Sequence, residues 1–200
     1  HVLLLAMHHI ISDGWSLGIL FRELGELYGR FRRGEPAALP EIGLRYRDFA
    51  GWQRHWLQGE VLEELLASWR SRLAGAPQVF ELPANRPRPA VESHRGAIYS
   101  FTLPGELAEA LRQLARREGA TLYMTLLAGF ALVLSRSSGQ EDILIGTPVA
   151  NRNRAEIEEV VGLFVNTLVL RADLSGEPSV SDLIGRLREV CLDAFAHQDL

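Results

Sequence analysis

The stretch His8-His9-Ile10-Ile11-Ser12-Asp13-Gly14-Trp15-Ser16 follows the apolar run Val2 to Met7 and precedes an amphipathic segment. An apolar run of that length reads as a buried strand, which places the histidine pair at a strand end. Strand ends and the loops after them commonly carry catalytic groups on a rigid scaffold. A histidine there, with a carboxylate a few residues on, has the parts for proton transfer near neutral pH. A satisfied structural pair and a His-x-x-x-Asp metal site are the competing readings. The chain has six histidines and one cysteine, and His55, His94 and His197 show no ligand-like spacing to the cluster. No metal is therefore expected.

Outward from this stretch, the spacing predicts a helix over about Ser16 to Arg32. Leu17, Leu20, Phe21, Leu24, Leu27, Tyr28 and Phe31 form its inward face, with Arg22, Glu23, Glu26 and Arg30 opposite. Gly34 and Pro36 stop it. Further helices are expected over Tyr46 to Leu57 and Val61 to Leu73. Residues 75 to 95 hold four of the nine prolines and read as an extended connection, the candidate boundary between lobes. Beyond it come a strand over Ala97 to Leu103 and a helix opening near Pro104, with Leu107, Leu111 and Leu114 inward. A buried apolar helix follows over Thr121 to Arg136. Strands over Ile143 to Val149 and Thr167 to Ala172 and a last helix over Val180 to Ala196 complete the pattern. Mixed strands and helices without a glycine-rich nucleotide fingerprint indicate an α/β architecture other than a Rossmann fold.

Composition narrows the function classes. Of 200 residues, 47% are hydrophobic and 23% charged, with a net charge of −4, the balance of a globular chain. No basic patch with interleaved aromatics is present, which argues against nucleic-acid binding. The longest apolar stretch, Leu122 to Leu134, is too short to span a bilayer. Cys191 lies on an apolar helix face as a small core residue. A single cysteine makes no internal disulfide, consistent with a cytoplasmic location.

Four motifs now add up. His8-His9-x-x-x-Asp13-Gly14, Tyr46-Arg47-Asp48-Phe49-Ala50-Gly51-Trp52-Gln53, Val161-Gly162-Leu163-Phe164-Val165-Asn166-Thr167 and His197-Gln198-Asp199-Leu200 stand in this order along the chain. Together they resemble the signature blocks of condensation domains of nonribosomal peptide synthetases, relatives of chloramphenicol acetyltransferase. The resemblance implies a two-lobed α/β fold of the chloramphenicol acetyltransferase type, incomplete at both ends, with its active site in a tunnel between the lobes. In that reading residues 1–80 are the remainder of the N-terminal lobe. Residues 81–95 are the extended connection, and 96–200 are the first part of the C-terminal lobe.

The implied reaction joins a donor acyl or peptidyl thioester to the amine of an acceptor aminoacyl thioester. Both are carried on 4'-phosphopantetheine arms of upstream and downstream carrier domains, beside an adenylation domain. No cofactor is held by the chain itself, and neither nucleic acid nor membrane is a partner. His9, the second histidine of the motif, is expected to face the substrate as a base or as a hydrogen-bonding group. His8 and Asp13 are expected to be structural. The family pairs Asp13 with an arginine, expected in the missing N-terminal part. Arg152 and Arg154 read as solvated charges in a polar loop bordering the tunnel. Gly14 fits a place where a side chain would block the tunnel, with its N–H toward the oxyanion. Trp52, Asn166 and Ser16 are carried over as substrate-binding residues, although Trp52 reads equally well as core and Asn166 as a turn residue. Asp13-Gly14-Trp15-Ser16 resembles amide-forming members joining L-configured substrates, rather than epimerising or cyclising relatives. An ester-forming or stand-alone acyltransferase and a non-catalytic carrier-recruiting module are the alternatives.

Overall fold

The computed structural model describes residues 2–83, 89, 91, 93 and 95–200. Among them the order is α1 (Gly14–Arg32), α2 (Tyr46–Trp56), α3 (Gly59–Leu73), α4 (Gly105–Arg117), α5 (Leu122–Ser138), β1 (Asp142–Val149), β2 (Asn166–Asp173) and α6 (Val180–Ala196). Contacts divide the chain into two compact units. One holds His1–Arg70, Thr147–Leu168 and His197–Leu200, and the other holds Ser71–Gly146 and Val169–Ala196. None of the crossings between units falls within 81–95.

The second unit follows directly from its apolar periodicity. β2, whose first three residues belong to the first unit, alternates strictly, with Leu168, Leu170 and Ala172 buried, as one face of a half-covered strand requires. β1 pairs with β2, and the Leu174 N–H donates to the Glu141 carbonyl at 2.7 Å, which sets the end of β2 beside the start of β1. On α6, Leu183, Ile184, Leu187, Cys191 and Ala194 recur at helical spacing and all are buried. α5 packs against both α4 and α6, through Met124, Leu127, Ala128 and Ala131 on its inner face. Its ends are capped by Thr121, which accepts from the Met124 N–H, and by Gly139 in the left-handed region at φ 75°. Arg171 ties the layer together. Its guanidinium grips Asp142 at 2.9 and 2.8 Å and also donates to the Arg72 and Ala74 carbonyls.

The stretch before α4 is held in this unit by one side chain. Gln140 accepts from the Glu81 N–H at 3.1 Å and donates to the Val79 carbonyl at 3.2 Å. The proline-rich expectation over Ala84-Asn85-Arg86-Pro87-Arg88 lies outside the described residues, as does His94.

In the first unit, α1 ends as expected, with Gly34 at φ 74° and the Glu35 N–H returning to the Arg30 carbonyl. α2 lays Phe49 into a cluster with Ile157, Val160 and Phe164, flanked by Leu44, Tyr46 and Trp52.

Four expectations are corrected. Val2 to Met7 is no strand: Leu3 and Leu4 are exposed, and among the described residues the only sheet pairs β1 with β2. Ala97 to Leu103 is likewise irregular, with Ile98, Tyr99 and Phe101 exposed. An apolar run becomes a strand only when a neighbour takes up its backbone groups, and among the described residues neither run has one. On α1 only Ser16 and Ile19 are buried, whereas Leu17, Phe21, Leu24, Tyr28 and Phe31 are exposed. Periodicity identifies the residues that share a face but not what covers it. α5 is buried on one side alone, leaving Tyr123, Leu126, Phe130 and Val133 exposed, and Leu107 on α4 is exposed too.

No single helix among the described residues is long and apolar enough to cross a membrane.

Candidate active site

Asp13 is the N-cap of α1, and its carboxylate collects most of the donors around it. Oδ1 accepts from the Ser16 N–H at 2.8 Å and the Ser16 hydroxyl at 2.7 Å. Oδ2 accepts from the Phe164 N–H at 3.0 Å. Arg152 donates to both oxygens at 3.2 and 3.4 Å, and both side chains of this ion pair are almost wholly shielded from water. Burial alone would push the Asp13 carboxyl up. The hydrogen bonds from Ser16 and Phe164 and the Arg152 charge outweigh it and hold it below the ordinary aspartate range.

Arg152 therefore corrects two expectations. It is no solvated loop charge, and the arginine that pairs with Asp13 lies in this chain. Its Nη1 donates to the Ile157 and Val160 carbonyls at 2.6 and 2.7 Å, so the guanidinium fastens the loop after β1 as well as α1. It lies over the Phe164 ring at 4.0 Å and beside the Trp15 ring at 5.7 Å. Trp15 in turn donates from Nε1 to the Glu158 carbonyl at 2.8 Å.

Three motifs meet at Gly162. Its N–H donates to the Ser16 hydroxyl at 3.0 Å, while its carbonyl lies 2.9 Å from the same oxygen. A Cβ at this position would stand 2.1 Å from Cδ2 of Tyr46, so only glycine lets the two segments approach. The Tyr46 hydroxyl donates to the Leu163 carbonyl at 2.7 Å, and its ring meets Phe164 edge-on at 5.1 Å.

This frame holds the histidine turn. His8 caps the 3₁₀ turn His9–Ile11, its Nδ1 accepting from the Ile10 N–H at 3.0 Å, so Nδ1 carries no proton in this arrangement. His9 is exposed. It lines a cleft of about 340 Å³ with Leu5, Met7, Ser12, Asp13, Gly14 and Leu17. Gly14 opens α1 in the same cleft, where the first N–H groups of the helix have no intrahelical acceptor. Among the described residues beyond its own helical neighbours, none comes within 4 Å of a Cβ built on Gly14, so none of them demands glycine there.

The remaining expected site residues lie apart from His9. Ser16 is fully buried and saturated by Asp13, Arg152 and Gly162, which corrects its reading as a substrate contact. Trp52 is half-buried, stacked on Trp56 at 5.3 Å with Arg154 over its ring at 4.4 Å, and does not line the His9 cleft. Asn166 donates to the Gln198 and Leu200 carbonyls at 2.9 and 3.1 Å and accepts from the Thr167 N–H. It thus joins the third motif to the fourth. Among the described residues no three His, Cys, Asp or Glu side chains are grouped as metal ligands would be.

Sequence reasoning quoted Tyr46, Gly162 and Phe164 only as motif members without a role, and read Arg152 as a solvated charge. The usable signal was the buried-side requirement of Asp13 itself: a shielded carboxylate needs a cation and donors.

A family model described as "Condensation domain" matches residues 1–200. The chain is 53% identical over 200 residues to one of the linear gramicidin synthase proteins of Brevibacillus parabrevis, a match covering 100% of this chain and 3% of that protein. It is 48% identical over 199 residues to a phosphinothricin tripeptide synthetase of Streptomyces viridochromogenes, covering 100% of this chain and 18% of that protein. Among solved structures, the first condensation domain of the calcium-dependent antibiotic synthetase superimposes with a TM-score of 0.80 at 25% identity, over 97% of this chain and 44% of that chain. The X-domain from teicoplanin biosynthesis gives 0.88 at 28% identity, over 97% and 44%. The chain spans a small fraction of its curated relatives and under half of these solved chains. With the motifs knotted into one buried frame and a family match along its whole length, the chain belongs to the condensation-domain family.

Proposed function

We propose that this chain is part of an amide-forming condensation domain of a nonribosomal peptide synthetase. The amine of an acceptor aminoacyl thioester attacks the carbonyl of a donor acyl or peptidyl thioester. A C–N bond forms, the C–S bond breaks, and the donor's pantetheine thiol leaves. The substrates are presented on 4'-phosphopantetheine arms of donor and acceptor carrier domains, with an adenylation domain adjacent.

The observation that carries this reading is the contrast between His9 and its neighbours. His8, Asp13 and Ser16 are spent on internal hydrogen bonds, whereas no hydrogen bond engages the His9 imidazole among the described residues, and it is exposed on the cleft beside Gly14. A free imidazole at that place can accept the proton that the amine loses on attack, or hold the tetrahedral intermediate by a hydrogen bond. The start of α1 at Gly14 puts the positive end of a helix at the same cleft, where negative charge on the former carbonyl oxygen would be favoured.

The test is reconstitution of the synthetase module that carries this chain, with an aminoacylated donor carrier and an aminoacylated acceptor carrier. Amide product on the acceptor carrier, detected by mass spectrometry, is expected. A hydroxyacyl acceptor that reacts while the aminoacyl acceptor does not would shift the reading to ester formation. A carrier-recruiting module is the second reading, favoured by the TM-score of 0.88 to the X-domain that was solved in complex with OxyB. Tight carrier binding without any product would support it.

A further inference from the structure

We infer that Ser16 is a positioning residue, whose hydroxyl relays the Arg152 guanidinium to Asp13 and locks the start of α1, and with it the His9 cleft, to the Gly162 loop. The inference rests on the proposed function, which gives the cleft its role.

The hydroxyl oxygen has four polar neighbours, and a hydroxyl has one proton and two lone pairs. Arg152 Nη2 at 3.0 Å and the Gly162 N–H at 3.0 Å are both donors, so they fill the two lone pairs. The single proton is left for Asp13 Oδ1 at 2.7 Å or the Gly162 carbonyl at 2.9 Å. The shorter contact to a charged oxygen favours Asp13. The hydroxyl is thus polarised from both sides, with a cation behind it and a carboxylate ahead. Arg152 and Asp13 are the charged groups that face it, and the side chain is fully buried.

The consequence is geometric. Asp13 and Gly14 border the His9 cleft directly, while Ser16 sits in the same first turn of α1 but faces inward. The Gly162 backbone, held by Ser16 and wedged against Tyr46, is the fixed side of the joint. Without the hydroxyl, Arg152 and the Phe164 N–H keep their reach to Asp13, but α1 loses its link to Gly162 and the cleft rim is held by fewer ties. A misplacement of about 1 Å costs up to about 10²-fold in rate.

The experiment is amide formation by the module carrying this chain, with S16A, S16C and H9A compared to wild type. S16A is expected to lower kcat about 10- to 100-fold while KM for the acceptor carrier stays within about twofold. Its stability deficit against wild type is expected to shrink as pH falls through the Asp13 range, because Asp13 loses a hydrogen bond that favours its charged form. A void alone would leave a deficit of the same size at every pH. S16C keeps the bulk with a weak donor and is expected to fall between the two; it replaces S16A should that variant not fold. A folded S16A with wild-type kcat, or a loss confined to KM, would overturn the inference. H9A separates the two ideas: normal turnover by H9A removes the proposed function, while the pH dependence of the S16A stability deficit still decides the role of Ser16.

Discussion

The joint around Asp13 and the layer formed by α5, β1, β2 and α6 are both buried, yet they are built by opposite means. The layer is apolar: Leu127, Ile143, Leu170, Ile184 and Leu187 exclude water, and Arg171 closes its edge. The joint is polar: a carboxylate, a guanidinium, a hydroxyl and a glycine backbone hydrogen-bond one another, with Arg152 Nε left without a partner among the described residues. Apolar burial is tolerant, since its strength follows area and volume. A buried polar joint is unforgiving, because each group removed strands its partners without water. The layer thus supplies stability and the joint supplies position, which is the property a reaction site needs.

Breaking the joint from one side should cost the most. D13N leaves Arg152 buried opposite a neutral amide, and a loss of about 3–5 kcal/mol is expected by chemical denaturation. In the layer, L187A removes a fully buried side chain, and about 2–5 kcal/mol is expected. The two are told apart by acid. Asp13 has a folded pKa below the ordinary 3.8, so the unfolded chain binds its proton first as pH falls. The stability it contributes is complete above that ordinary value and is lost as pH drops through the lower folded one. The gap between wild type and D13N should therefore close in acid, while the L187A gap stays constant. An L187A gap that closed in the same way would erase the distinction.

G162A tests the tight approach. Its methyl overlaps the Tyr46 ring, and overpacking of this kind costs about 1–3 kcal/mol. The smallest effect is expected at V133T on the exposed side of α5, within about 0.5 kcal/mol.

The same contrast explains what was legible beforehand. α6 and β2 were readable because Leu183, Ile184, Leu187 and Cys191, or Leu168, Leu170 and Ala172, repeat with the period of their element. Cys191 is buried as expected, and burial pushes its thiol up to about 11. The Asp13–Arg152 pair spans 139 residues, and no local pattern connects positions so far apart. Arg152 reads like any loop arginine until its carbonyl and carboxylate partners are seen. The motif residues were legible as a set through family resemblance, but their division of labour was not. Ser16 looked like a residue facing substrate and is an internal support. Val2 to Met7 and Ala97 to Leu103 misled for a different reason: their composition is that of strands, and strand formation depends on a neighbour that composition does not report.

The most direct test is single-turnover amide formation by H9A in the module that carries this chain, beside its thermal unfolding. A rate lower by about 10² to 10⁴-fold with an unchanged unfolding midpoint is expected, because among the described residues no hydrogen bond ties the exposed imidazole to the frame. Near-normal turnover by a folded H9A would contradict the account at its centre.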